Sequence, residues 1–200
     1  MVKKQAQKEE TRRRILTAAS QSFRSHGFVG IGVDAIAKAA GVTSGAFYAH
    51  FRSKEVAFDA ALEVGLNEVI EALPKFQRDF GTRWVQAFAE YYLSQSHRED
   101  RACGCAMTTL SPEVVRANQE THAAYEGKME RIVALVAEGL DKGSKRERRA
   151  RAWALLGVLI GGLTVARAVK KSKVAEEIAH SICVAAVNAA GPTREVHPEQ

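Results

Sequence analysis

VTSGAFYAHFRSK, from Val42 to Lys54, holds a helix start, a two-sided helix and the start of a further helix. Thr43 is placed to cap the helix by accepting a backbone N–H. Phe47 and Phe51, four residues apart, supply its buried stripe. Ser44, Gly45, Ala46, Tyr48, Ala49 and His50 are left on the outward side. Ser53 then caps the next helix, with Lys54 at its first position, so a free helix N-terminus and an ammonium share one place.

Just upstream, Val33, Ile36, Ala37 and Ala40 recur at i, i+3, i+4 and i+7, one apolar face of a short helix that ends at Gly41. Val42 fills the turn. Two short helices joined by a Gly-containing turn of a few residues form a helix-turn-helix. Small outward side chains let such a helix approach base edges, and marginal donors reach phosphate oxygens. Ser44, Gly45, Ala46 and Tyr48 are therefore expected nearest the bases, and Thr43, His50 and Lys54 on phosphates. Hydrophobic spacing alone also suits an ordinary core helical pair with solvated polar residues. The joint occurrence of turn, caps and polar set is what points to double-stranded DNA.

The stretch from Thr11 to Phe58 resembles the DNA-binding domain of the TetR family of bacterial regulators. The resemblance rests on Gly27-Phe28, on VDAIAKAAGV from Val33 to Val42, and on TSGAFYAHFRSKE from Thr43 to Glu55. It covers about a quarter of the chain. One departure is Gly32, where family members usually carry a Ser or Thr that caps the helix and touches phosphate. Glycine still caps, without the hydroxyl. The resemblance implies an all-α protein: a helix-turn-helix domain over residues 1–53 with a basic N-terminal tail, then a helical ligand-binding and dimerisation domain over 54–200.

Charge is concentrated at the same end. Residues 1–60 hold ten Lys and Arg against five Asp and Glu, whereas residues 61–200 hold nineteen against eighteen. A localised basic excess suits a phosphate binder and predicts affinity that falls with salt. Lys3, Lys4, Lys8, Arg12, Arg13 and Arg14 form the run; they serve either as a DNA arm or as a solubilising tail. Ile15, Ala19 and Phe23 turn the other face of that helix into the core.

The start, MVKKQAQKEETRRR, lacks an apolar signal region, and three cysteines form no disulfide framework; a cytoplasmic protein is expected. The strongest apolar run, Ala152 to Ala166, falls short of the roughly 20 residues needed to cross a bilayer. Helical patterns are expected from Lys54 to about Leu73 before Pro74, from Thr82 to Ser96, from Ala102 to Leu110, and from Ser111-Pro112 to about Leu140. Two more follow, Lys145 to Val169 and Lys173 to Ala189.

The last two helices carry surplus apolar surface. Trp153, Gly157, Gly161 and Thr164 lie along one stripe, and Ile178, Ile182 and Ala185 repeat at helical spacing. Glycine inside a helix costs roughly 1 kcal/mol against alanine, so close helix approach is the expected reason for it. Either these helices bury within the chain, or two protomers form a four-helix interface; the resemblance implies the second. A homodimer would read a palindromic operator with half-sites about 34 Å apart, or a multiple of that.

Trp84, Phe88, Tyr91, Tyr92, Met107, Tyr125 and Met129 supply an aromatic-rich set with polar handles, suited to a small-molecule effector pocket and equally to a helical core. Release from DNA by an effector is what the resemblance implies. Cys103 and Cys105, beside Arg101, offer an alternative: thiol-based sensing of oxidants or electrophiles, or simple packing. No metal or cofactor site is expected. The chain lacks a phosphate loop, a nucleophile elbow and a His-Glu-x-x-His pair, so no enzyme is expected. A non-specific architectural DNA binder would carry a basic C-terminal half, which this chain does not.

Overall fold

The computed structural model describes residues 2–102 and 104–193, Val2 and Lys3 by their backbone alone. Eleven α-helices follow one another among the described residues: α1 (Val2–His26), α2 (Val33–Ala39), α3 (Ser44–His50), α4 (Lys54–Phe80), α5 (Trp84–Tyr92), α6 (Gln95–Glu99), α7 (Ala106–Thr109), α8 (Ser111–Val114), α9 (Gln119–Glu138), α10 (Lys145–Ala168) and α11 (Ser172–Ala190). No strand occurs among these residues, and Leu140 and Thr193 form only an isolated bridge.

The chain divides into two compact units, residues 1–66 with 101–125 and residues 67–100 with 126–200. This differs from a division after residue 53. The first turns of α4 bury Ala57, Phe58, Ala61 and Leu62, which puts them in the core of the first unit. That core also holds Ile15, Ala19 and Phe23 of α1, Ile36 and Ala37 of α2, and Phe47 and Phe51. Phe23, Phe28 and Phe58 stack together with centroids 5.4–5.9 Å apart. The segment 101–125 is tied in by two long-range bonds: buried Arg24 donates to the Gly104 carbonyl at 3.0 Å, and Thr121 donates to Asp59 at 2.7 Å.

Two sequence expectations fail in this segment. The helix expected over Ala102–Leu110 shrinks to the single turn of α7, and the long helix from Ser111-Pro112 stops at Val114. Arg116 and Ala117 then bond three residues back, a tight turn rather than α-helix. Asn118 restarts the chain, its Oδ1 accepting from the Thr121 N–H at 2.8 Å. An Asn cap beats helix continuation because its side chain satisfies an otherwise orphaned donor.

In the second unit, α4 does not stop before Pro74; the proline lies inside a helix reaching Phe80. Proline in a helix interior costs about 3 kcal/mol. Burial of Leu73 and the bond from buried Gln77 to the Leu135 carbonyl (2.7 Å) lie on either side of it and hold the helix together. The expected Thr82–Ser96 helix is split instead, because Ser94 caps a new helix by accepting from the His97 N–H. Helix α10 starts with a reciprocal capping box between Ser144 and Glu147. It packs along α11, and Gly162 lies so close to Ile182 that a Cβ there would overlap that side chain. Helix α10 has 24 residues and includes an 18-residue stretch of mean hydropathy 1.3, long and apolar enough for a membrane span by length and composition alone, although seven of its residues are buried, Leu155, Leu159 and Leu163 among them.

Candidate nucleic-acid interface

Helix α2 ends in a full Schellman motif. Gly41, at φ +66°, donates to the Lys38 carbonyl and Val42 donates to the Ala37 carbonyl. Left-handed backbone requires glycine here, and that turn sets the direction of α3. The Arg14 guanidinium of α1 reaches over to the Ala40 and Gly41 carbonyls. A cation at a helix C-terminus is favoured by the helix dipole as well as by the bonds themselves.

Thr43 caps α3 as expected, its hydroxyl accepting from the Ala46 N–H at 3.2 Å. Gly32 caps α2 with extended backbone and no side-chain bond. Phe47 is fully buried, whereas Thr43, Gly45, Tyr48 and Ala49 are exposed and Ser44, Ala46 and His50 are half-buried. Exposed and half-buried positions thus surround the buried Phe47 on α3, and Tyr48 is 52% exposed. Ser44 is more constrained than its sequence suggests, because its hydroxyl donates to Asp34 of α2 at 2.5 Å. Ser53 caps α4 by accepting from the Val56 N–H. Its hydroxyl, with a backbone N–H, also holds Glu55 below the usual carboxylate range. Lys54 stands over the Phe28 ring, 4.4 Å from its centroid.

Part of the N-terminal basic run serves the fold. Arg12 donates to the His50 carbonyl and covers the Phe51 ring at 4.4 Å, while Arg13 pairs with Glu10. With Arg14 and Arg24, that makes four guanidiniums with partners inside the unit. For Arg12, Arg14 and Arg24 sequence spacing could not reveal these roles, since the partners lie 26 to 80 residues away. Lys4, Lys8, Lys38 and Arg52 are exposed. Arg12, Arg13 and Arg14 stay exposed beside them, so of the four bonded guanidiniums only Arg24 is withdrawn from solvent.

Residues 15–61 match the model for bacterial regulatory proteins of the tetR family. The chain belongs to the TetR family. Among its relatives, the HTH-type transcriptional repressor NemR of Escherichia coli K12 is 28% identical over 138 residues, covering 67% of this chain and 69% of that protein. The HTH-type transcriptional regulator UidR of the same strain is 33% identical over 94 residues, 46% of each chain. The crystal structure of E. coli NemR in its reduced form superposes with a TM-score of 0.73 at 23% identity, covering 89% of this chain and 95% of that one. A TetR-family regulator from Agrobacterium tumefaciens gives 0.74 at 13% identity, covering 88% and 97%. The TetR-family fold, a DNA-binding helix-turn-helix followed by a helical C-terminal part, is therefore that of this transcriptional regulator.

The other predicted residues of this TetR-family chain fall in separate places. Trp84, Phe88, Tyr91, Tyr92 and Met129 belong to the second unit, Met107 and Tyr125 to the first. Trp84 is wholly buried and spends its indole N–H on the Gly139 carbonyl at 3.0 Å. Phe88 and Tyr92 are buried in an aromatic cluster with Phe76 and His97, and Met129 is buried too; Tyr91 is 54% exposed. Met107 is buried, and the Tyr125 hydroxyl meets that of Ser111 at 2.6 Å; burial raises the Tyr125 phenol above its ordinary pKa. Trp84, Phe88, Tyr92, Met107 and Met129 are buried in the cores of their units.

Trp153, Gly157, Gly161 and Thr164 share an exposed stripe of α10, and a Cβ added to Gly157 or Gly161 would meet nothing within 4 Å. Ile178, Ile182 and Ala185 are half-buried, Ile182 against Gly162 of its own chain. Cys103 lies outside the described residues. Cys105 is only 8% exposed and its carbonyl caps the turn of α7, accepting from Thr108 and Thr109. Among the described residues, no three potential metal ligands cluster.

Proposed function

We propose that this chain is an effector-responsive repressor that binds a palindromic operator as a homodimer. Thr43, His50 and Lys54 contact phosphates; Gly45, Ala46 and Tyr48 face the bases, with Ser44 braced by Asp34 beside them. The observation that carries the dimer is the α10 stripe. Interior glycines are costly in a helix, and Gly157 and Gly161 face open space in the single chain rather than a packed neighbour. A second α10 approaching there gives both glycines the close contact that offsets their cost. Trp153, 42% exposed with Arg149 near its ring, adds an aromatic anchor of the kind enriched at interfaces.

Selection of bound sequences from a random DNA pool tests this reading together with sedimentation of the free protein. The expected results are an enriched inverted repeat and a dimer. A monomer in solution, or enrichment of non-repeated sites, would overturn it.

A second reading, thiol sensing through Cys105, is favoured by one observation. The similar NemR of E. coli is a repressor whose structure was determined in a reduced form, so its oxidation state was distinguished. Cys105 here is buried, and thiol attack would need the α7 turn to open. Diamide or peroxide treatment decides it: an operator affinity unchanged in wild type and in a Cys103→Ser, Cys105→Ser variant ends the thiol reading.

A further inference from the structure

Within the first unit lies a partly enclosed cavity of about 380 Å³, bounded by the turn after α1, the first turns of α4, and residues 113–121. Its walls combine the Phe28 and Phe58 rings, set edge to face at 5.4 Å, with the carboxylates of Glu55, Asp59 and Glu113. Arg116 is the one guanidinium in this wall. We propose that this cavity binds a small organic cation with an apolar body, and that its occupancy alters operator binding.

Several observations select that chemistry. Arg116 neutralises little, since its side chain is 70% exposed and pairs with Glu113 only at 3.7 Å, while Glu113 itself is 19% exposed. The Glu113 carboxylate presses on Gly27, where α1 ends; its Oε1 lies 2.7 Å from the position of a Cβ there. A helix C-terminus adds further negative potential. Asp59 accepts the Thr121 hydroxyl at 2.7 Å, yet a carboxylate has about four acceptor sites and keeps capacity for another donor. An anion would face three carboxylates, and a neutral apolar guest would strip water from them uncompensated. No three metal ligands cluster among the described residues, which disfavours a bare metal ion. An ammonium with an aromatic or aliphatic body satisfies both kinds of wall, its charge meeting the carboxylates and its apolar body the ring edges. The volume lies within the range of ligand sites, about 300–1,000 Å³.

The same walls support the DNA-facing residues. Phe28 carries Lys54 over its ring, and α4 begins at Lys54, one turn before Phe58. A guest that prefers one arrangement of the Phe28 turn changes operator affinity by its differential affinity for the two arrangements. This regulatory half rests on the effector-responsive reading above; the binding half does not.

Calorimetric titration of the full chain, without DNA, by benzyltrimethylammonium tests the site. Saturable binding of one probe per protomer is expected, with no comparable binding of benzyl alcohol or phenylacetate. Affinity should fall at least tenfold in Glu113→Gln, and equally in Ala117→Leu, which fills the cavity without touching a charge. Glu138→Gln, on an exposed position of α9, should leave it unchanged. Absent saturation, equal binding of benzyl alcohol, or full affinity in both cavity variants would overturn the site. If the probe binds yet operator affinity moves less than threefold, the regulatory half falls. Operator binding measured without probe reports on the DNA-binding reading separately.

Discussion

Lys54 and Phe28 are coupled across the first unit: the ammonium lies 4.4 Å from the ring centroid, so the turn after α1 fixes where the first cation of α4 points. A cation over an aromatic face is worth about 0.5–1 kcal/mol when exposed. Lys54→Ala should weaken binding to every DNA sequence and lower the salt slope by about 1 for each phosphate that goes unneutralised. Phe28→Leu should cost affinity less and leave the slope nearly intact, because the charge remains. Binding isotherms at a series of salt concentrations separate the two. An unchanged slope in Lys54→Ala would show that this lysine does not meet phosphate.

The α2–α3 turn is expected to be sensitive to a single methyl group. Gly41→Ala imposes left-handed backbone on a residue with a Cβ, at a cost of about 1–2 kcal/mol. The new Cβ would also stand 2.5 Å from the Arg14 guanidinium, disturbing its bonds to Ala40 and Gly41. Thermal melts should show the loss. Arg14→Gln should give a smaller loss of the same sign.

Adjacent glycines of α10 should behave oppositely. At Gly161 a larger side chain meets open space within the chain, so Gly161→Leu should keep or raise helicity while weakening the dimer at least tenfold. Gly162 is pressed against Ile182, and Gly162→Leu should instead lower the melting temperature. Circular dichroism and analytical ultracentrifugation distinguish the outcomes. A fully dimeric Gly161→Leu protein would remove this stripe from the interface.

Acid should loosen the start of α10. The Glu147 carboxylate accepts from the Ser144 N–H and hydroxyl at 2.7 and 2.8 Å, and these bonds hold its pKa below the ordinary glutamate value of 4.5. A carboxyl depressed in the folded state contributes stability above its unfolded pKa and loses it as pH falls through the folded value. The contribution is therefore complete at neutral pH and fades below about pH 4.5. Ser144→Ala should reduce stability at pH 7 and flatten this part of the acid profile, read by denaturant midpoints between pH 3 and 7.

Local signals proved most legible where donors and acceptors lie within one turn of each other. Thr43 with Ala46, Gly41 with Lys38, and Ser53 with Val56 are all separated by three residues, and a chain segment carries them wherever it is placed. Helix length was less legible. Pro74 signalled a stop that the helix runs through, and the helix that Ser111-Pro112 does start ends after one turn, because a helix persists or breaks according to what its next turn buries.

The sequence alone therefore determined the DNA-binding motif from Val33 to Lys54 and the family it belongs to, since caps, turn glycine and apolar stripe are short-range physics. Only the tertiary structure decided which charges are tied to distant backbone. Arg12, Arg14 and Arg24 each donate to a backbone carbonyl 26 to 80 residues away, and Arg24 alone of the three is buried. It also parted Gly157 and Gly161, facing open space, from Gly162, pressed against Ile182, and set Glu55, Asp59 and Glu113 around one cavity. Such assignments depend on which surfaces meet, and contact between distant segments leaves no periodic trace in the residues themselves.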